Sequence, residues 1–283
     1  MNETSTSEGA GMAPERIAER AVELAPWFYD YALPGGVRTA PELPERLRTM
    51  HASRLAMLRA ALDALGEVPT GSALDAGCHE GNFSLALRDA GFATVVGVDV
   101  REESVAKARF VAQAMGVGGA SFHAMDAEEL DRELAPGRFD VALVFGLIYH
   151  LESPMRVMRQ IAARTDHAMI IETQLCPEPG ERGYPGFGEE AGREAPPGLH
   201  VEWGRREHKM RARGGFAIID ESPMHATNTE TGATSLALCP SAHAVESMCA
   251  AVGFPAVTRI DPPADGNEQL LRGRRGVFLA KRS

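Results

Sequence analysis

Apolar and polar positions along the chain follow two periods, and the switches between them mark out the elements. Residues 14–24 repeat apolar side chains at helical spacing, with Ile17, Ala21 and Leu24 on one side; 42–66 does so again through Leu55, Leu58, Leu62 and Leu65. An apolar run from Ser72 ends on Asp75, and a turn through Gly77, Cys78, His79, Glu80 and Gly81 leads into a helix over 82–90. A second run, 94–98, closes on Asp99. Strand, glycine turn, helix, strand and acid, in that order, predict half of a mononucleotide-binding βαβ unit. A helix over 102–116 presents Val105, Ala108, Val111 and Met115 and ends at glycine. A short strand over 120–124 stops at Met125-Asp126, and the apolar run 139–145 predicts a central strand buried on both faces. Ser153-Pro154 opens the next helix, and 167–173 is a fifth strand ending on Glu172-Thr173.

The regularity breaks between 174 and 240, a stretch rich in Gly and Pro without a clean period. It reads as a cap inserted over the ligand end of the sheet. Pro240-Ser241 then opens a helix carrying Val245, Met248, Cys249 and Val252 on one face. Two strands, 255–260 and 276–281, follow around a polar loop. The expected division is a disordered start (1–12), a helical and lid segment (13–70), an α/β core (71–174), the cap (175–239) and a closing helix and hairpin (240–283).

Composition narrows the class. The chain has 283 residues, 44% of them hydrophobic, enough to build a core, and no apolar run approaches the roughly 18–20 residues a membrane span needs. The first residues, MNETSTSEGAGMAPER, have neither the basic nor the apolar region of a secretory signal. Cys78, Cys176, Cys239 and Cys249 are widely spaced with no CxxC, which fits reduced thiols in a cytoplasm. A formal charge of −10 argues against a broad nucleic-acid footprint. Within this acidic chain Arg205, Arg206, Lys209, Arg211 and Arg213 form a local basic cluster, read either as a solvated face or as an anion-binding patch for substrate. His200, Glu202, His208 and His225 match no compact zinc spacing, so no metal is expected. Four aromatic residues crowd the stretch WFYDYALPGGVRT; it is either a flap packed on the core or a substrate-facing lid, with Trp27 and Tyr31 as substrate contacts in the second case.

The segments LDAGCHEGNFSLAL, VGVDVREESVAKAR, FDVALVFGLIYHLESPMRV, IIETQ and LCPSAHAVESMCAAVGF carry a resemblance. DxGCxxG followed by an acid at the end of the next strand resembles motifs I and II of the class I S-adenosylmethionine (SAM)-dependent methyltransferases. With WFYDYALPGGVRT and above all GLIYHLESP, the chain looks like the tRNA wobble-uridine carboxymethyltransferase-like family, over roughly 26–174 and 235–283. The resemblance implies a Rossmann-like sheet of seven strands with the last antiparallel, SAM as cofactor and S-adenosylhomocysteine (SAH) as product. It places Asp75, Gly77, Cys78 and Gly81 at the methionine end, Asp99 and Val100 at the ribose, and Asp126 with Ala127 at the adenine. Phe145, Gly146 and Tyr149 would line the pocket where the sulfonium meets substrate. In the tRNA-modifying members a lysine in the N-terminal region and an arginine near the C-terminus help hold a carboxylated SAM. No lysine lies between Trp27 and Ser72, so methyl transfer from ordinary SAM is expected.

Methyl transfer is an in-line displacement, in which alignment does most of the work. Tyr149 and His150 follow the fourth strand, where open α/β sheets bind ligands. His150 is a candidate base, since histidine titrates near neutrality, or a histidine at a helix start bonded to backbone. Glu172 either orients a substrate hydroxyl or amine or forms a strand-end salt bridge. Asp126 caps the helix starting at Ala127 whatever else it does, and His79 shapes the glycine turn. The expected activity is methyl transfer to oxygen or nitrogen of a small, anionic or neutral molecule of specialised metabolism. The alternatives are tRNA wobble-uridine modification and a SAM-binding protein or cyclase without transfer. The expected partner is the substrate, not nucleic acid or membrane, and a homodimer is left open.

Overall fold

The computed structural model describes residues 12–41, 45–135, 137–178, 200–203, 206–209, 214–220 and 236–282. Two helices come first, α1 (Pro14–Glu23), opened by proline, and α2 (Glu45–Asp63). Then β1 (Ser72–Ala76), α3 (Asn82–Asp89), β2 (Thr94–Asp99), α4 (Glu102–Ala114) and β3 (Ala120–Ala124) follow in strict alternation. A short 3-10 turn and α5 (Leu130–Glu133) lead to β4 (Phe139–Phe145), and α6 (Pro154–Ala163) connects it to β5 (Thr165–Gln174). The strands β6 (His200–Trp203) and β7 (Arg206–Lys209) pair as one hairpin, and β8 (Phe216–Asp220) pairs with β9 (Leu236–Pro240). The chain ends with α7 (Ala242–Ala251), β10 (Ala256–Ile260), α8 (Glu268–Leu271) and β11 (Arg275–Lys281).

The main sheet has seven strands in the order β10-β11-β5-β4-β1-β2-β3. Its first five strands are parallel, and β11 is antiparallel to both of its neighbours. This is the Rossmann-like methyltransferase arrangement expected from the sequence. Side chains alternate between two buried faces. Ala73, Val95, Leu143 and Ile170 pack with Ile17, Leu58, Leu87 and Val111 on one face; Leu74, Val98, Val144 and Ile171 pack with Val157, Ile161, Val245 and Met248 on the other. Among the described residues, no helix is long and apolar enough to cross a membrane.

Several expectations need correction in detail. Met115 is 45% exposed, because α4 ends at Ala114 and the next residue has left its buried face. Ser153 stands at the start of α6, but its side chain makes no capping bond, whereas Ser241 accepts the Ala244 N–H at the start of α7. The polar loop before β11 contains α8, capped by Asn267 accepting the Gln269 N–H. The proposed cap contains strands β6 to β9, and Leu238 of β9 donates to the Leu151 carbonyl beyond β4, at 3.0 Å. Residues 179–199, 204–205, 210–213 and 221–235 of that cap lie outside the described residues, as does the expected disordered start apart from Met12.

The aromatic stretch is pinned to the glycine turn by Glu80, which is fully buried. Its carboxylate accepts N–H bonds from Phe28 and Tyr29 at 3.0–3.1 Å and meets Lys107 Nζ at 3.0 Å; Tyr31 donates its hydroxyl to the Glu80 carbonyl at 2.8 Å. Burial pushes the Glu80 pKa up, and Lys107 with the two backbone donors opposes it. Removing this carboxylate strands two amides and leaves Lys107, which also bonds the Pro26 carbonyl, without its counter-charge. Glu80→Ala is therefore expected to destabilise the fold by about 3–5 kcal/mol, measurable as a lower midpoint in urea.

Candidate functional site

A cavity of about 420 Å³ opens at the carboxyl ends of β1, β2 and β4. This edge collects loops because each parallel strand leaves there for its crossover helix. Gly77 turns the chain out of β1 with φ of 78°, and its backbone N–H donates to the Val98 carbonyl at 2.8 Å. A Cβ on Gly77 would meet Leu147 at 3.3 Å, so glycine serves both the turn and the narrow cavity wall. Gly81 answers a different need. Its φ is 83°, and a Cβ would press on Ala108 and the Phe122 ring at 3.0 Å, a packing constraint between α3 and α4.

The second acid, Asp99, ends β2 on the cavity wall. It accepts the His79 N–H at 2.9 Å and the Arg101 N–H at 3.0 Å, and Arg101 Nε lies 3.1 Å away. Burial alone would raise its pKa, but the Arg101 guanidinium and these bonds hold it below the usual carboxylate value. Val100, 57% exposed, Met125, Asp126 and Ala127 continue the wall from β2 to β3. Asp126 accepts the Glu128 N–H at 2.8 Å, capping the turn as its spacing predicted. Across the cavity stand Phe145, Gly146, Tyr149 and His150, the last two with ring centroids 4.0 Å apart and their planes tilted by 41°.

Other predicted site residues lie elsewhere. Asp75 is buried away from the cavity, accepting the Ser84 hydroxyl at 2.5 Å, and burial raises its pKa to about 7. Cys78 is buried behind the turn, donating its N–H to the Val98 carbonyl at 2.9 Å. Trp27 and Tyr31 also belong to the core rather than to the cavity. Phe28 and Tyr29, whose N–H groups bond to Glu80, are the aromatic residues of this stretch that reach the cavity wall, Tyr29 while also packing in the core with Trp27 and Tyr31. Glu172 has no exposed surface and is not in the cavity wall, so it forms the strand-end salt bridge rather than a substrate contact. Arg205 lies outside the described residues, as do the side chains of β7, including that of Arg206. Of the histidines considered for metal, His200 and His208 fall on β6 and β7, also with undescribed side chains, and His225 lies outside. Among the described residues, no three His, Cys, Asp or Glu side chains cluster as metal ligands.

Four positions at or behind the cavity wall were not singled out from the sequence: Phe28, Tyr29 and Arg54, which line it, and Arg275 behind Tyr149. Arg275 Nε meets Glu172 Oε1 at 2.8 Å, its Nη2 donates to the Tyr149 hydroxyl at 2.6 Å, and Arg54 Nη2 reaches Glu172 Oε2 at 2.9 Å. Only the reversed direction of β11 places its first residue, Arg275, beside the last residues of β5. Arg54 comes from α2, between the rings of Phe83 and Phe145 at 4.8 and 5.6 Å. Its one sequence signal was an arginine on the apolar side of a helix.

Linkage gives a pH test of the buried acid. With a folded pKa near 7 and an unfolded value near 3.8, Asp75 holds its proton in the folded state across that window. The wild type should therefore lose stability relative to Asp75→Asn as pH rises from 4 to 7. Urea unfolding of both proteins at several pH values checks this.

A family model of a methyltransferase domain matches residues 68–177. The Escherichia coli O-antigen chain terminator bifunctional methyltransferase/kinase WbdD is 36% identical over 111 residues, 38% of this chain and 16% of that protein, so this chain spans only a small part of its length. Among solved structures, the N-terminal domain of EvdMO1, crystallised in the presence of SAH and D-fucose, superposes with a TM-score of 0.68 at 20% identity. It covers 98% of this chain and 100% of its own. Magnesium protoporphyrin IX methyltransferase from Synechocystis PCC 6803, with bound SAM, gives 0.50 at 17% identity over 86% of each chain. The acid at the end of β2, the narrow glycine turn and a wall in which Val100, Met125 and Ala127 flank Asp126 suit a nucleoside with an amino-acid tail. Residues 68–177 are thus similar to methyltransferase domains, and the fold is shared with proteins crystallised with SAH or SAM.

Proposed function

We propose that this protein transfers a methyl group from SAM to an oxygen or nitrogen of a small molecule, as a cytoplasmic enzyme of specialised metabolism. The carrying observation is the cavity itself. Gly77, Asp99 and Asp126 line one side, while Phe145, Gly146, Tyr149 and His150 stand on the other. On this reading Asp99 receives the ribose hydroxyls, Asp126 and Ala127 the adenine, and Gly77 lets the methionine chain pass. Bound SAM supplies an electrophilic methyl on a sulfonium. Tyr149, held by Arg275, shapes the acceptor's approach, and His150 takes the proton from an acceptor hydroxyl or amine. A small acceptor is supported by the D-fucose present with EvdMO1 and by the porphyrin named for the Synechocystis enzyme. Asp126, Glu128 and Glu152 in the cavity wall, with the net charge of −10, disfavour a polyanion there.

A second reading follows the likeness to wobble-uridine enzymes, in which a carboxymethyl group is transferred. The contact between Arg275, near the C-terminus, and Tyr149 favours it. Mass spectrometry of the product separates methyl from carboxymethyl transfer.

With methyl-labelled SAM and a panel of hydroxyl- and amine-bearing acceptors, label is expected in a small product. His150→Ala should lower the rate by about 10²–10⁴-fold if a proton must be removed. Asp99→Ala should weaken SAH binding by about 10- to 100-fold in calorimetry, the worth of hydrogen bonds to a charged group. No heat with SAH and no labelled product would refute the reading.

A further inference from the structure

All four cysteines are free thiols, but their surroundings differ. Cys78 and Cys249 are sealed in the interior, and burial pushes both pKa values up, that of Cys249 to about 12. Cys176 and Cys239 lie far apart in sequence, yet their side chains are hydrogen-bonded to each other. The backbone brings them together. Just beyond β5, the Leu175 N–H donates to the Arg274 carbonyl at 2.8 Å, and the Cys176 N–H donates to the Pro240 carbonyl, next to Cys239, at 2.9 Å. Cys239 is in turn the register partner of Ala217 across the β8–β9 hairpin, and the Ala217 N–H reaches the Cys176 sulfur.

Two donors, the Cys239 thiol first and then the Ala217 amide, therefore favour the anionic form of Cys176. They hold its pKa below the usual thiol value although burial and Glu178 oppose them. Cys239, as the donor of that bond, is pushed up by it and by burial. Cys176 keeps 9% of its surface exposed, and Cys239 keeps none. A partly exposed sulfur that gives up its proton readily thus stands against a buried thiol already aimed at it. That is the arrangement of an attacking and a resolving cysteine.

We propose that Cys176 and Cys239 form a modification site, closed to a disulfide by peroxide and reopened by a dithiol reductant. The Cys176 thiolate attacks one peroxide oxygen; the O–O bond breaks, hydroxide leaves and is protonated to water, and Cys176 becomes a sulfenic acid. The Cys239 sulfur then attacks the Cys176 sulfur. The S–O bond breaks, and the Cys239 proton departs with the hydroxyl as a second water. Two thiols together lose two electrons and two protons, and one peroxide gains them. Thiols in contact, on backbones joined by a hydrogen bond, need only a short approach to reach the about 2.05 Å of a disulfide. The bridge would fasten β9 to the end of β5. Because the Leu238 N–H of β9 also holds the Leu151 carbonyl, the staple adjoins the turn that carries Tyr149 and His150. The chemistry of the pair does not depend on what the cavity binds.

The test treats the native wild-type chain, reduced and then freed of reductant, with one equivalent of hydrogen peroxide. The protein is next denatured in an alkylating agent, digested without reductant by trypsin and a glutamate-specific protease, and mapped by mass spectrometry. Cleavage after Glu246 separates Cys239 from Cys249. The expected product is one linked pair of peptides, Cys176 to Cys239, lighter by two hydrogens than its reduced parts, with Cys78 and Cys249 alkylated. Dithiothreitol should return all four thiols. In Cys239→Ser, dimedone should trap a sulfenic acid on Cys176; in Cys176→Ser, dimedone labelling of Cys239 should be lost. Wild type in which Cys176 and Cys239 both stay alkylatable after peroxide overturns the proposal without reference to any variant. So does a bridge from either of them to Cys78, to Cys249 or to a second chain, or oxidation of Cys176 to a sulfinic acid with Cys239 still free. Dimedone on Cys239 in place of Cys176 overturns the order of attack.

Discussion

Glu172 lies wholly buried at the carboxyl end of β5, between guanidinium groups delivered from the two ends of the chain. A carboxylate in such a place is costly unless it is paired, and removing either charge partner from a buried pair leaves an uncompensated ion. That constraint ties α2, β5 and β11 to one another and, through the Arg275 contact, fixes Tyr149 beyond β4. The wall on which an acceptor would rest is thus set by an ion cluster rather than by a loop alone. The parallel strands bring the ends together, and the charges fix their side chains in register.

Glu80 plays the equivalent part on the other side of the cavity. Its carboxylate satisfies the amides of Phe28 and Tyr29, so an extended segment from before the sheet becomes part of the wall. The same turn presents His79 at φ of 51°, its N–H donated to Asp99, and burial with the nearby Arg101 drives the imidazole pKa to about 3. A neutral, buried histidine in that position suits a turn-forming role, as its place between the glycines suggested. The two carboxylates differ in their balance. Glu80 meets one cation and several neutral donors, whereas Glu172 meets two cations.

The periodic parts of the chain were readable because burial imposes period on sequence. The strand over 139–145 follows its apolar run to the residue, and Asp99 stands at the end of the largely buried run of β2. The aromatic stretch was harder, since an irregular extended segment has no partner strand in the sequence to say which side faces in. Trp27 and Tyr31 could be named as aromatic and unusual, but only Glu80, some 50 residues away in sequence, decided that Phe28 and Tyr29 line the cavity. Cys78 and Asp75 sit in a motif whose spacing was recognised. Their side chains nevertheless point behind the turn, a matter of backbone direction that a motif does not specify.

The sequence by itself determined the parallel sheet, its glycine turn, the acids at the ends of β2 and β3 and the tyrosine-histidine pair beyond β4. Each follows from local period, turn chemistry or a short motif, all of which act over a few residues. Only the tertiary structure decided that Arg54, Glu172 and Arg275 meet. They are separated by more than a hundred residues at each step, and none has a local pattern that distinguishes it from an ordinary salt-bridging side chain. The reversed last strand brings one to the site, the packing of α2 on the sheet brings another, and the ion cluster exists only once all three are together.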